Sequence, residues 1–273
     1  MRVVFISVVV ALAGIFTIGL ALSRHNPAAM EQPAAGEMGA GESNTEIAAG
    51  RQPVLVELFT SEGCSSCPPA DRLLTNLQYD QPLAGADVIA LEFHVDYWDR
   101  LGWKDPFSSP AYTRRQENYS RQLNLDSTYT PQMIVDGRYE FVGSNSAKAN
   151  ETITKSSADS KAAIDLTVSG GKVSVKIDGL KSNSDAVVYL AISETKLSTK
   201  VGGGENSGST LGHSSVVRNL TSIGMIKKGV SSFTFDQPTT QNTAWKPENI
   251  KYVVFVQEMS SLKVLAVSQA AAK

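Results

Sequence analysis

The chain has 273 residues, 42% of them hydrophobic, and a formal net charge of -2. That length suits one large domain or two small ones with a core of ordinary size. The charge excludes a basic field that would hold nucleic acid, and two cysteines are too few to staple a small scaffold, so their meaning is local.

Arg2 precedes an uncharged run from Val3 to Leu22, the pattern of an export signal. About 20 apolar residues also suffice to cross a bilayer. Residues 1–23 therefore read either as a signal peptide, cut near Ala21-Leu22-Ser23, or as an uncleaved membrane anchor. Both place the remainder outside the cytoplasm, periplasmic or secreted, and touching the membrane only through this segment. Residues 24–52 are rich in Ala, Gly, Pro and Glu and have few large apolar side chains. They read as a flexible linker.

Val54 to Thr60 is a short apolar run, the mark of a buried strand. A turn-rich stretch, Ser61 to Cys67, leads into a helix opened by Pro68 and Pro69, where a missing N–H does no harm. Val88 to Val95 is a second buried strand, and strand–helix–strand at this spacing predicts a parallel pair. After an aromatic loop from Tyr97 to Pro110, Ala111 to Leu123 reads as a polar helix. Thr130-Pro131 opens a strand, Gln132 to Val135, which turns at Asp136-Gly137 into Tyr139 to Val142. Beyond Lys161 the pattern becomes short alternating strands with Gly, Asn and Asp turns: 164–168, 173–177, 187–192, 232–235, 252–256 and 264–267. The expected architecture is an α/β domain over 53–160 followed by a small all-β, sandwich-like domain over 161–273.

The chemistry centres on Cys64 and Cys67, a C-x-x-C pair following a strand and opening a helix. A helix N-terminus carries partial positive charge and free N–H groups that stabilise a thiolate. Cys64 is then the attacking sulfur and Cys67 the resolving one. Glu62, beside the motif, reads as a solvated loop carboxylate. His94, Asp96, Tyr97, Trp98 and Trp103 cluster at the C-terminal end of the second strand, the edge where open α/β sheets bind ligands. They form a candidate substrate surface or a small core beneath a long loop. The stretch Gly202 to Asn206, with His213 and Arg218 downstream, neither follows a strand nor opens a helix, so it reads as a hairpin loop rather than a phosphate loop.

Two segments, VELFTSEGCSSC and TPQMIVDGRYEFVGS, resemble the two halves of a glutaredoxin site. More closely, FTSEGCSSCPPAD, FHVDYWDRLGWKDPF, YTPQMIVDGR and GGGENSG resemble the bacterial secreted proteins of the domain-of-unknown-function 1223 family. The resemblance runs from Val54 onward and implies that the first domain is thioredoxin-like. It further implies a cis peptide at Thr130-Pro131 set against the cysteines, and a buried acid near them for which Glu57 is the candidate. Strand alternation alternatively turns Glu57 toward a Lys at the sheet end. The resemblance departs from glutaredoxin at Ser144-Asn145, where glutathione-holding residues usually stand.

The leading expectation is an extracytoplasmic thiol–disulfide oxidoreductase without a cofactor. Its partners would be exported proteins or small-molecule thiols and disulfides, with a second redox protein to recharge it. A rival reading takes Cys64, Cys67 and His94 as ligands of copper or another metal. A third is a non-catalytic binding module.

Overall fold

β1 (Gln52–Thr60) and β2 (Ala86–His94) lie at the heart of the structure, because both strands are mostly apolar and are buried on both faces. The computed structural model describes residues 50–239 and 242–272. The expected signal or anchor (1–23), and the linker as far as residue 49, lie outside the described residues. β1 and β2 pair in parallel, with α1 (Pro68–Tyr79) between them in sequence. α2 (Pro110–Gln122) is capped by Ser109, whose hydroxyl accepts the Ala111 N–H. β3 (Gln132–Val135) runs antiparallel to β1, and β4 (Tyr139–Val142) pairs back on β3. Their turn needs positive φ at Asp136 and Gly137, 50° and 69°. A Cβ on Gly137 would stand 1.9 Å from the Leu262 carbonyl oxygen, so only glycine fits. α3 (Ser146–Ser157) gives little sequence signal, because its buried face is Ala149, Thr152, Ile153 and Ser156.

Nine strands follow among the described residues. They are β5 (Ala163–Ser169), β6 (Lys172–Asp178), β7 (Ala186–Glu194), β8 (Leu197–Lys200), β9 (Thr210–His213), β10 (Val216–Ile226), β11 (Phe233–Pro238), β12 (Ile250–Glu258) and β13 (Val264–Ala271). The expectation of an α/β thioredoxin-like domain followed by a separate small all-β domain is corrected here. The chain is mostly β, and a single mixed sheet of eight strands, in the order β13-β12-β7-β10-β2-β1-β3-β4, takes strands from both halves. The join is β10. It pairs antiparallel with β7 along its length and parallel with β2 at Val216↔Glu92. Two register shifts, between Val217 and Asn219 and between Ser222 and Gly224, break its alternation. A strand without a period of two gives no strand signal.

Alternation along β1 divides the core. Val54, Val56 and Leu58 face α1 and α3 with Leu74, Leu77 and Ile153. Leu55 and Phe59 face the other way, among Phe93, Tyr112 and Tyr119, and meet Val253, Phe255 and Val264 from the far end of the chain. A three-stranded sheet, β11-β6-β5, covers the other face of the β7, β12 and β13 half. β8 and β9 form a separate hairpin. Among the described residues no helix is long and apolar enough to cross a membrane.

Candidate functional site

Cys64 and Cys67 are joined as a disulfide, with Cα atoms 5.5 Å apart. The chain leaves β1 at Thr60, turns through Ser61–Cys64, and places Cys67 as the N-cap of α1. Pro68 and Pro69 carry no N–H, and the N–H groups of Ala70 and Asp71 both go to the Cys67 carbonyl, at 2.8 and 3.1 Å. The helix therefore offers a thiolate its dipole rather than free N–H groups. The Ser66 hydroxyl, 3.3 Å from Cys64 Sγ, is positioned to donate.

Both cysteines have 0% exposure, although Ser65 and Ser66 between them are exposed. Their cover is the loop linking β8 to β9. Glu205 Oε2 accepts from the Ser65 N–H at 2.9 Å and from its hydroxyl at 2.6 Å, and these bonds hold its carboxyl below the usual range. Asn206 Nδ2 donates to the carbonyls of Glu62 and Cys64, each at 2.9 Å. The glycines before them allow the approach: a Cβ on Gly203 would stand 2.3 Å from the Gly102 oxygen, and one on Gly202 2.9 Å from the Trp103 ring. The segment that reads as a plain hairpin loop is thus the cap of the disulfide.

A buried chain of carboxylates and imidazoles adjoins this loop. Glu92 and His94 are two apart on β2 and share a face. His94 Nδ1 lies 2.7 Å from Asp105 Oδ2, and its Nε2 lies 3.1 Å from Glu92 Oε1. The same Glu92 oxygen is 2.7 Å from His213 Nδ1, and His213 Nε2 is 3.1 Å from Glu62 Oε1. Glu62 is buried, not solvated, and its other oxygen accepts the Trp103 indole N–H at 2.8 Å. Burial opposes charge on both rings. The Glu92 and Glu62 carboxylates outweigh it at His213, raising that ring to about 9. Asp105 and Glu92 hold His94 well above its ordinary range. The rings in turn hold Glu92 and Asp105 low against their own burial. Asp71, four residues after Cys67, is pushed up to about 7 by burial and by Glu92, and accepts the Thr60 hydroxyl at 2.7 Å.

A pocket of ≈ 630 Å³ opens between α1 and the β8–β9 hairpin, with Asp71, Arg72, Tyr79, Leu197, Leu211 and His213 in its wall.

The model of the family described as protein of unknown function, DUF1223, matches residues 55–257. The chain belongs to the DUF1223 family. A crystal structure of protein AGR_C_4864 from Agrobacterium tumefaciens is similar to it at 27% identity, covering 81% of this chain and 94% of that one, with a TM-score of 0.65. A domain of the outer membrane lipoprotein Omp28 from Porphyromonas gingivalis overlaps at 12% identity, 42% of this chain and 89% of that one, with a TM-score of 0.27. No curated protein matches.

The other candidate residues fall around the DUF1223 disulfide in distinct places. The Thr130–Pro131 bond is cis. Trp98 reaches it, donating its indole N–H to Thr130 Oγ1 at 2.8 Å, and a Cβ on Gly63 would meet Trp98 Cβ at 3.4 Å. Trp98 and Trp103 therefore flank the cysteine loop. Asp96 and Tyr97 instead turn to α2, bonding Thr113 at 2.6 Å and Gln116 at 3.3 Å. Glu57 lies on the face of β1 away from α1. It pairs with Arg115 Nε at 2.6 Å and accepts the Tyr119 hydroxyl. The set Cys64, Cys67 and His94 is not gathered as a ligand group: the sulfurs bond each other, and both His94 nitrogens are taken by carboxylates. Among the described residues the group able to share an ion is Glu92, His94 and His213.

Sequence reasoning missed Glu92 and Asp105, and took His213 only as part of a hairpin loop. One signal was present: two ionisable residues on one face of an otherwise apolar strand, VIALEFHV, demand buried partners.

Proposed function

We propose that this DUF1223 protein is an extracytoplasmic thiol–disulfide oxidoreductase, working through Cys64 and Cys67. The observation that carries the reading is the disulfide between two cysteines three apart, at the start of α1 and directly after a central strand. The uncharged N-terminal run Val3–Leu22 supports export, and disulfides persist outside the reducing cytoplasm.

In the reduced protein the Cys64 thiolate attacks one sulfur of a substrate disulfide. The other substrate sulfur leaves as a thiolate and takes a proton. Cys67, deprotonated, then attacks Cys64 Sγ in the mixed disulfide, releases the second substrate thiol and restores the Cys64–Cys67 bond. Two electrons pass from protein to substrate, and a dithiol partner protein returns them; with an oxidising partner the same steps run in reverse. Asp71 sits one helical turn from Cys67 on α1, with burial raising its pKa to about 7, and is the carboxylate placed to exchange the Cys67 proton. Both sulfurs are buried, so each exchange requires the Glu205 and Asn206 contacts to release. Trp98, Trp103 and the cis Thr130–Pro131 segment then form the wall that a substrate chain meets.

The test is substrate trapping. Cys64→Ser is expected to abolish reduction of a model disulfide substrate, and Cys67→Ser to accumulate the mixed disulfide. Unchanged turnover in Cys64→Ser overturns the reading.

A further inference from the structure

We propose that Glu92, His94 and His213 form a binding site for one divalent first-row transition cation of the zinc class. The proposal is independent of the redox reading, since neither sulfur takes part.

Three protein atoms converge: Glu92 Oε1, His94 Nε2 and His213 Nδ1, all within 4.8 Å of one another. Glu92 is anchored for this by its second oxygen, which accepts the Ser214 N–H at 3.2 Å, and by its backbone N–H, which donates to Ser215 O at 2.8 Å. The tighter separations around Glu92 Oε1, 3.1 and 2.7 Å, are those of a closed-up ligand set. Ligands about 2.0–2.2 Å from a tetrahedral zinc lie roughly 3.4 Å apart, so entry of an ion asks both rings to draw back from Glu92 Oε1 by about half an ångström and their two nitrogens, within 4.8 Å, to close toward each other.

The outer groups make the assignment specific. Metal-binding histidines ordinarily donate their far N–H to a carboxylate or carbonyl. Here His94 Nδ1 faces Asp105 and His213 Nε2 faces Glu62. In the neutral tautomers that carry those N–H groups outward, the lone pairs of His94 Nε2 and His213 Nδ1 both face one carboxylate oxygen, and a cation takes the place of the protons that otherwise lie between them. The outer carboxylates are fixed too. Asp105 accepts the Glu62 and Phe107 N–H groups at 2.8 and 2.9 Å, and Glu62 accepts the Trp103 indole. Phe107 packs edge-on against both imidazoles, 5.3 and 5.5 Å between centroids, and covers one side of the cluster.

Two imidazoles and one carboxylate favour Zn²⁺, Co²⁺ or Fe²⁺ over the hard, all-oxygen cations and over Cu(I), which prefers sulfur. Three protein ligands leave a fourth position for water or a small ligand. His213 lines the pocket between α1 and the β8–β9 hairpin, which supplies the entry path.

The experiment uses the full chain with its disulfide intact, so that no thiol is free to bind. After chelator dialysis it is titrated with Co²⁺, read by visible absorption, and then with Zn²⁺. The expected result is one equivalent of Co²⁺, d–d bands without a thiolate charge-transfer band, and stoichiometric displacement by Zn²⁺. His213→Gln is expected to weaken binding at least about 100-fold, and Glu62→Gln, which meets His213 only at its outer nitrogen, about 10–100-fold. Circular dichroism checks that each variant is folded. If His213→Gln does not fold, Glu62→Gln and the parent spectrum decide. No saturable binding by the folded parent, which is the behaviour of two rings each holding a proton toward Glu92, overturns the proposal. So does unchanged affinity in a folded His213→Gln.

Discussion

Arg115 shows how a single buried charge is held. Its guanidinium pairs with Glu57 and lies 5.2–5.6 Å from the rings of Phe93, Tyr119, Tyr189 and Phe255. Arg115→Met leaves Glu57 charged, buried and unpaired, and is expected to cost about 3–5 kcal/mol in urea unfolding. Adding Glu57→Gln is expected to recover most of that loss, because no uncompensated charge remains. Asp71 gives the opposite pH signature from a salt-bridged acid. Burial raises its folded pKa from 3.8 to about 7, so between these values the folded state holds a proton that the unfolded chain has lost. Its contribution is therefore greatest below the unfolded pKa and falls as pH rises toward 7. Asp71→Asn keeps an acceptor for Thr60 and removes this slope. With chelator present, the variant's stability advantage over the parent is expected to grow from pH 4 to pH 8, reaching on the order of 2–4 kcal/mol. A constant difference across that range contradicts the assignment.

At the scale of elements, the β8–β9 loop and the α1 start form one device, although Ser65 and Glu205 are 140 residues apart in sequence. That separation is why the cap was illegible. The GGGEN run was visible as unusual, but no local rule says which distant loop a glycine-rich turn lies upon. The glycines carry the close approach, and Glu205 and Asn206 carry the attachment. Glu205→Ala with Asn206→Ala is expected to speed reduction of the disulfide by dithiothreitol several-fold to about tenfold, with little change in melting temperature. Reduction rates are read by stopped alkylation, and an unchanged rate shows that the loop does not limit access. The cysteine pair and the strand–helix–strand around it were legible because each is local. The strand is an apolar run interrupted only by Glu57, and Pro68 and Pro69 mark the helix start. The Glu62–His213 contact was not, since the two lie 151 residues apart.

For the whole molecule, the decisive element is β10. The strands after position 161 were readable one by one from alternation, but their grouping into a separate sandwich was not correct. The bulged β10 inserts between β7 and β2 and makes a single sheet. The core around Phe59 and Phe93 includes Val253, Phe255 and Val264, so the first half lacks one wall of its own core. A fragment covering residues 50–160 is expected to show no cooperative unfolding transition, because the edge of β2 and this apolar face are left uncovered. A sigmoidal urea transition in that fragment contradicts the single-sheet account of its stability. The same continuity brings distant side chains together. His213 comes from the hairpin just before β10 and Glu92 from β2, so the buried chain beside the disulfide is assembled by the joining of the two halves.

The central claim is that Cys64 and Cys67 exchange electrons reversibly. It is tested most directly by equilibrating the full chain in a series of reduced and oxidised glutathione mixtures, quenching with an alkylating reagent, and counting free thiols. The account predicts one two-electron transition that is the same from the reduced and the oxidised side. Its midpoint should lie in the range of thiol–disulfide oxidoreductases, roughly -270 to -120 mV. A disulfide that stays closed throughout, with a potential below about -300 mV, is that of a structural cross-link and contradicts it.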